Sequence, residues 1–157
     1  MKDLNNVKTE LTSLLSGVAG EYFVAAELSR RGYLASITLR NTKGVDILCS
    51  NADATKTVAI QVKTNKRSNR DWMLNQKAES FYSNNHFYVF LNLHDNQQQP
   101  DYFIVPSGVV ATHVKEAHAT WLATPGKAGR AHIDTSMRKF ADLSEEYRDR
   151  WNILDLG

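Results

Sequence analysis

The stretch GVDILCSNADATKTVAIQVKT, Gly44 to Thr64, reads as two apolar strands joined by a polar turn. A strand sends alternate side chains to opposite faces, so Val45, Ile47 and Cys49 share one face while Asp46 and Leu48 take the other. In the second strand Val58, Ile60 and Val62 share a face, and Ala59, Gln61 and Lys63 lie opposite. The intervening NADATK has the Asn, Asp and Ala of a hairpin loop. Antiparallel pairing that opposes Asp46 to either Gln61 or Lys63 leaves all three on a common face. The chain thereby gathers a carboxylate, an amide and an ammonium on an otherwise apolar ribbon.

Working outward, 157 residues at 42% hydrophobic content suffice for one domain with a real core. The expected division is a core over about 11–120 with a C-terminal helical extension over about 121–157. Charge is nearly balanced, 19 Lys and Arg against 17 Asp and Glu, but residues 1–80 hold twelve basic and eight acidic side chains. The basic excess lies in the half containing the hairpin, and a local patch matters more for a polyanionic partner than net charge. One cysteine, Cys49, excludes an internal disulfide and a multi-thiolate zinc site. It reads as a small core residue, since no His or Asn is placed to activate it. The N-terminal MKDLNNVKTELTSLL is too polar for a signal peptide, and no apolar run approaches the roughly 20 residues of a membrane span. A soluble cytoplasmic protein with no membrane partner is expected.

Before the hairpin, residues 11–31 read as a helix, with Leu14, Val18, Ala25 and Leu28 forming its apolar stripe. Glu21 falls inside that stripe, either buried with a partner or at the stripe's edge in contact with solvent. Gly17 and Gly20 suggest close approach to another backbone, and Gly32 the left-handed helix end. YLASITLR follows as a strand. After Thr64, NKRSNRDW reads as a basic loop, NQKAESFYS as a short helix, HFYVFLNL as a central strand and DYFIVP as another. The segment SGVVATHVKEAHATWL reads as a helix capped by Ser107, ATPGKAGRAHIDTS as a loop, and FADLSEEYRDRWNIL as a final polar helix. This order predicts an α/β sandwich, with a central mixed five-stranded sheet flanked by helices.

Glu21, Asp46 and Gln61 are hard oxygen donors of the kind that hold Mg2+ or Mn2+. An ammonium at Lys63, two residues from Gln61, can orient a nucleophilic water and stabilise charge on a phosphorane. This set suits phosphodiester hydrolysis; the alternative is a Lys63–Asp46 ion pair on a solvated sheet face.

GVDI, then IQVKT with its Lys63, behind a helix bearing GEYFVAAELSRRGY, resembles the PD-(D/E)xK nuclease superfamily and its restriction-endonuclease-like fold. The likeness is greatest to the archaeal Holliday-junction-resolvase and Mrr-like branches and spans about residues 17–114. It implies that Asp46 binds the metal, Lys63 is the catalytic lysine, and Glu21 and the Val62 backbone carbonyl add ligands. Gln61 stands at the (D/E) position, a QxK variant. The neutral amide leaves at most two carboxylates for the ion and raises the importance of Glu21. The resemblance further implies a metal-dependent endonuclease acting on duplex or branched DNA. Two cuts need two sites, so a homodimer is expected, with apolar residues of the third or final helix as contacts. Arg40 and Lys43 before Asp46, and Lys66, Arg67 and Arg70 after Lys63, supply candidate phosphate contacts. Trp72 is open between base stacking and core packing, and Arg130 and Arg138 lie on a further loop that can face DNA. The competing reading is a binding module on a nuclease fold, with Gln61 marking lost cleavage.

Overall fold

The computed structural model describes residues 12–39, 42–66, 68–94 and 98–157. Helix α1, Ser13–Arg30, starts where the Thr12 hydroxyl accepts the Leu15 amide and ends before Gly32 at φ +88°. Strands β1 (Leu34–Ile37), β2 (Ile47–Ser50) and β3 (Thr57–Asn65) form an antiparallel meander. Strand β5 (His86–Asn92) pairs parallel to β3, and β6 (Asp101–Pro106) returns antiparallel, giving the order β1-β2-β3-β5-β6. The mixed five-stranded α/β sheet expected from the sequence is therefore present. Its one parallel joint carries the crossover, and every residue of β5 is buried, as a strand covered on both faces requires.

Two cores flank this sheet. On one face Ile47, Cys49, Val58, Ile60 and Val62 pack with Val24 and Leu28 of α1 and with Trp151, Leu154 and Leu156 near the C-terminus. On the other, Tyr88, Phe90, Phe103 and Val105 pack with Val110 and Val114 of α2 (Ser107–Ala123). They also meet Trp72, Leu74 and Phe140 of a small second sheet, in which β4 (Asp71–Asn75) pairs antiparallel with β7 (Met137–Ala141). Phe90 and Phe140 stack with centroids 4.6 Å apart. Such a pair adds about 0.5–1.5 kcal/mol beyond the burial of its area. This second cover stops short of β2, where Leu48 is exposed. Half of that face is thus open, next to a half that is closed.

Several expectations are corrected. The buried stripe of α1 is Ser16, Gly20, Val24 and Leu28, and Leu14 is exposed. Small residues at the start of the stripe let the helix lie close to β3, which leaves Leu14 and Leu15 outward while Leu28 is buried. A Cβ on Gly20 would meet the Thr64 hydroxyl at 1.9 Å, whereas Gly17 faces open space. Of NKRSNRDW and NQKAESFYS, the described part supplies β4 and only a 3-10 turn at Gln76–Glu79. Ser107 is the first residue of α2 and not its cap; its hydroxyl bonds both backbone groups of Ser83. The final polar helix is absent, and with it a helical extension over 121–157. Met137–Ala141 is a strand, and the buried Asp142 carboxylate accepts the Glu146 and Tyr147 amides. Glu145 and Asp149 then take positive φ, 56° and 53°, which a helix cannot include. Only a 3-10 turn, Trp151–Leu154, remains. Among the described residues no helix is long and apolar enough to cross a membrane.

Candidate active site

The β2–β3 ladder begins with Ile47 opposite Ile60, and Asp46 lies just before it as a bend whose amide also turns to Ile60. Neither of the two pairings the sequence left open for Asp46 is made, since Asp46 stands outside the ladder. The β3–β5 register places Gln61 beside Tyr88 and Lys63 beside Phe90. Gln61 and Lys63 therefore share the second face, beside its aromatic cover, and both are half-buried, as is Asp46 at the bend before β2. Partial burial strengthens electrostatic interactions while keeping the groups within reach of a ligand.

Asp46 is held by its own backbone and by its side chain. Its amide donates to the Ile60 carbonyl at 2.8 Å, and its carbonyl accepts the Thr38 amide at 2.9 Å. Its Oδ2 accepts the Val62 amide at 2.7 Å, a charge-assisted bond in which the carboxylate replaces the strand carbonyl that the end of β2 no longer offers. In an extended strand a residue's N–H and C=O leave on the same edge, so the Val62 carbonyl points to the same gap. Asp46 also acts on its neighbours. The phenol of Tyr88 is pushed up to about 12, first by burial and then by the Asp46 charge. His86, buried at the start of β5, has its pKa lowered by burial, against smaller opposing effects of its bond to Gly44 and of Asp46.

Helix α1, packed on the first face of the sheet, carries Glu21. Gly20 lies against Thr64, the residue after Lys63, and Glu21, half-buried, is next in the helix. Among the described residues no three His, Cys, Asp or Glu side chains form a metal cluster. The oxygen donors the structure places close together are the Asp46 carboxylate, fixed on the Val62 amide, and the Gln61 amide next to it in β3. These fit Mg2+ or Mn2+, which bind one or two carboxylates and complete their shell with water and phosphate oxygens.

The expected basic flank divides. Lys43 and Lys66 are exposed. Arg70 is turned away, to Glu145 at 2.8 Å and the Leu143 carbonyl at 2.9 Å. Arg40 and Arg67 lie outside the described residues. Arg138 is buried against Glu79 and two backbone carbonyls, so it does not face DNA from its loop. Trp72 is core, 1% exposed, its indole N–H directed to the Leu91 carbonyl. Cys49 is also core, its thiol pushed up to about 11 by burial, which removes it as a nucleophile.

His86 and Gly44 were not singled out by the sequence. The only signal for His86 was a histidine opening an otherwise apolar strand, and its place beside the site depends on the β3–β5 register, which opposes it to Ala59.

The architecture has solved counterparts. A bacterial homing endonuclease, I-Ssp6803I, superposes with a TM-score of 0.54 at 14% identity, covering 94% of this chain and 93% of that one. The fold is restriction-endonuclease-like. The Archaeoglobus fulgidus Holliday junction resolvase Hjc aligns over 83% of this chain and 86% of its own, at 17% identity and a TM-score of 0.42. No family model and no curated protein matches the chain. The architecture implied by GVDI and IQVKT is thus borne out.

Proposed function

We propose that this chain is a metal-dependent DNA endonuclease, resolvase-like or restriction-like, acting in the cytoplasm on duplex or branched DNA. The observation that carries the reading is the Asp46 carboxylate held on the amide of Val62, the residue between the half-buried Gln61 and Lys63 of β3. The homing endonuclease named above supports it as a protein of like fold.

In this reading Asp46, Glu21, Gln61 and the Val62 carbonyl hold Mg2+ or Mn2+. The bound ion supplies Lewis-acid polarisation of the scissile phosphate and a more acidic water. Lys63 Nζ donates hydrogen bonds to the attacking water and to a phosphate oxygen, placing the nucleophile in line and countering the charge that grows on the phosphorane. Water oxygen bonds to phosphorus and gives up a proton to solvent as the bond to the leaving deoxyribose oxygen breaks, and that oxygen takes up a proton from solvent. Lys43 and Lys66 contact flanking phosphates, joined by Arg40 and Arg67 from the same two loops; Arg70 joins them after releasing Glu145. Two such sites act in a homodimer, with exposed Val109 and Trp121 of α2 as contacts.

The test is cleavage of supercoiled plasmid, linear duplex, four-way junction and single strand in Mg2+, Mn2+ or EDTA. Metal-dependent cutting that falls by about 100-fold or more in Asp46→Ala and Lys63→Ala is expected. A neutral amide at Gln61 favours one competing reading, a DNA-binding module. Intact DNA binding without cutting, insensitive to both substitutions, would establish that reading instead. Light scattering that finds only monomer, free and on DNA, would remove the paired-cut version.

A further inference from the structure

Asp46 stands at the end of a three-residue loop whose carbonyls are all held. His86 Nε2 lies 2.8 Å from the Gly44 carbonyl. A carbonyl only accepts, so Nε2 carries the proton and donates. Thr38 Oγ1 donates to the Val45 carbonyl at 2.8 Å, and the Thr38 amide to the Asp46 carbonyl at 2.9 Å. The loop is tight: Gly44 has φ +72°, and a Cβ there would meet the Phe81 ring at 2.5 Å. Phe81 in turn stands edge-on to His86 at 5.0 Å, and Tyr88 does so from the other side at 5.4 Å.

The imidazole is a costly way to fill this space. It is 3% exposed, and Nδ1 is buried with no hydrogen-bond partner among the described residues. Phenylalanine or leucine would occupy the same volume without an unmet acceptor. What the imidazole adds is one donor, and that donor is aimed at the loop carrying Asp46. Burial holds the ring neutral, which leaves it one N–H and no charge to compete with the carboxylate.

We propose that His86, together with Thr38, is a positioning residue that aims the Asp46 carboxylate by holding the Gly44 and Val45 carbonyls. Its catalytic consequence rests on the nuclease reading above, whereas its structural consequence does not. The full-length chain, labelled with 15N, provides a readout apart from activity: the Val62 amide, whose acceptor is the Asp46 carboxylate. In His86→Phe and Thr38→Val this amide should exchange roughly fivefold or more faster than in the wild type, with Val89 in β5 as an unaffected reference. Plasmid cleavage in saturating Mg2+ should lose about 10- to 100-fold in kcat with KM for DNA unchanged, because a misaimed ligand disturbs the reacting geometry and not the phosphate contacts. His86→Gln, which can still donate to Gly44, should retain most of both properties.

Unaltered Val62 exchange in His86→Phe overturns the proposal. So does His86→Gln as impaired as His86→Phe, since ring volume would then be what matters. If His86→Phe does not fold, Thr38→Val decides alone, and wild-type exchange and cleavage in it overturn the proposal. If the wild-type protein cuts no DNA, the nuclease reading fails by itself, and faster Val62 exchange in the variants still supports the positioning role.

Discussion

Replacing Gly20 by alanine should weaken the protein, although alanine is the better helix former by about 1 kcal/mol. The added methyl would lie 1.9 Å from Thr64 Oγ1, 3.1 Å from Thr64 Cβ and 3.2 Å from Leu91 Cδ2. Rotating the threonine relieves the first contact and not the other two, so α1 must lift from β3. Overpacking of this kind costs about 1–3 kcal/mol. At the upper half of that range the net loss is about 1–2 kcal/mol after the helix gain. For a domain of this size that lowers Tm by roughly 2–8 °C. If the proposed nuclease reading holds, with Glu21 next to Gly20 as a ligand, cleavage should fall more steeply than stability. The assay is thermal unfolding of Gly20→Ala, Thr64→Ala and the double variant, with Mn2+ titration of each. The double variant should recover most of the loss, since removing the threonine side chain makes room for the methyl and deletes a buried hydroxyl that has no hydrogen-bond partner among the described residues. A Gly20→Ala protein as stable as the wild type, with unchanged Mn2+ binding, would refute the close-approach account.

Three further outcomes are expected. His86 has its pKa lowered from the ordinary 6.5 by burial, so the unfolded chain takes up the proton more readily. Its contribution to stability is full above pH 6.5 and declines as pH falls toward the folded-state value; urea unfolding from pH 8 to 5 should show this slope, and His86→Phe should flatten it. Glu79→Ala would strand the buried Arg138 guanidinium, whose other bonds are to carbonyls, and should cost about 3 kcal/mol in denaturant unfolding. Cys49, with its thiol pushed up to about 11 and no exposed surface, should react with a disulfide reagent only as fast as the protein opens. Rapid labelling of the native state would contradict that burial.

What lay in the sequence was the local part. Period-two alternation along Thr57–Asn65 puts Gln61 and Lys63 on one face whatever surrounds the hairpin, so that pair was legible, whereas Asp46 meets β3 from a bend, through its carboxylate. The continuous apolar run of HFYVFLN likewise announced a strand buried on both faces. Only tertiary structure decided the rest. Strand β7 forms because its Phe140 and Arg138 find β4, some 65 residues earlier in the chain, and that remote pairing overrides the helical preference of the polar segment around it. The face of α1 that is buried was decided by where small residues allow contact with β3, which leaves Leu14 and Leu15 outside and Leu28 inside. The loop holding Asp46 is gripped by His86, whose place depends on a parallel register between strands separated by a crossover. Periodicity is a property of neighbours in sequence, whereas these contacts depend on which surfaces meet after the chain has closed its loops.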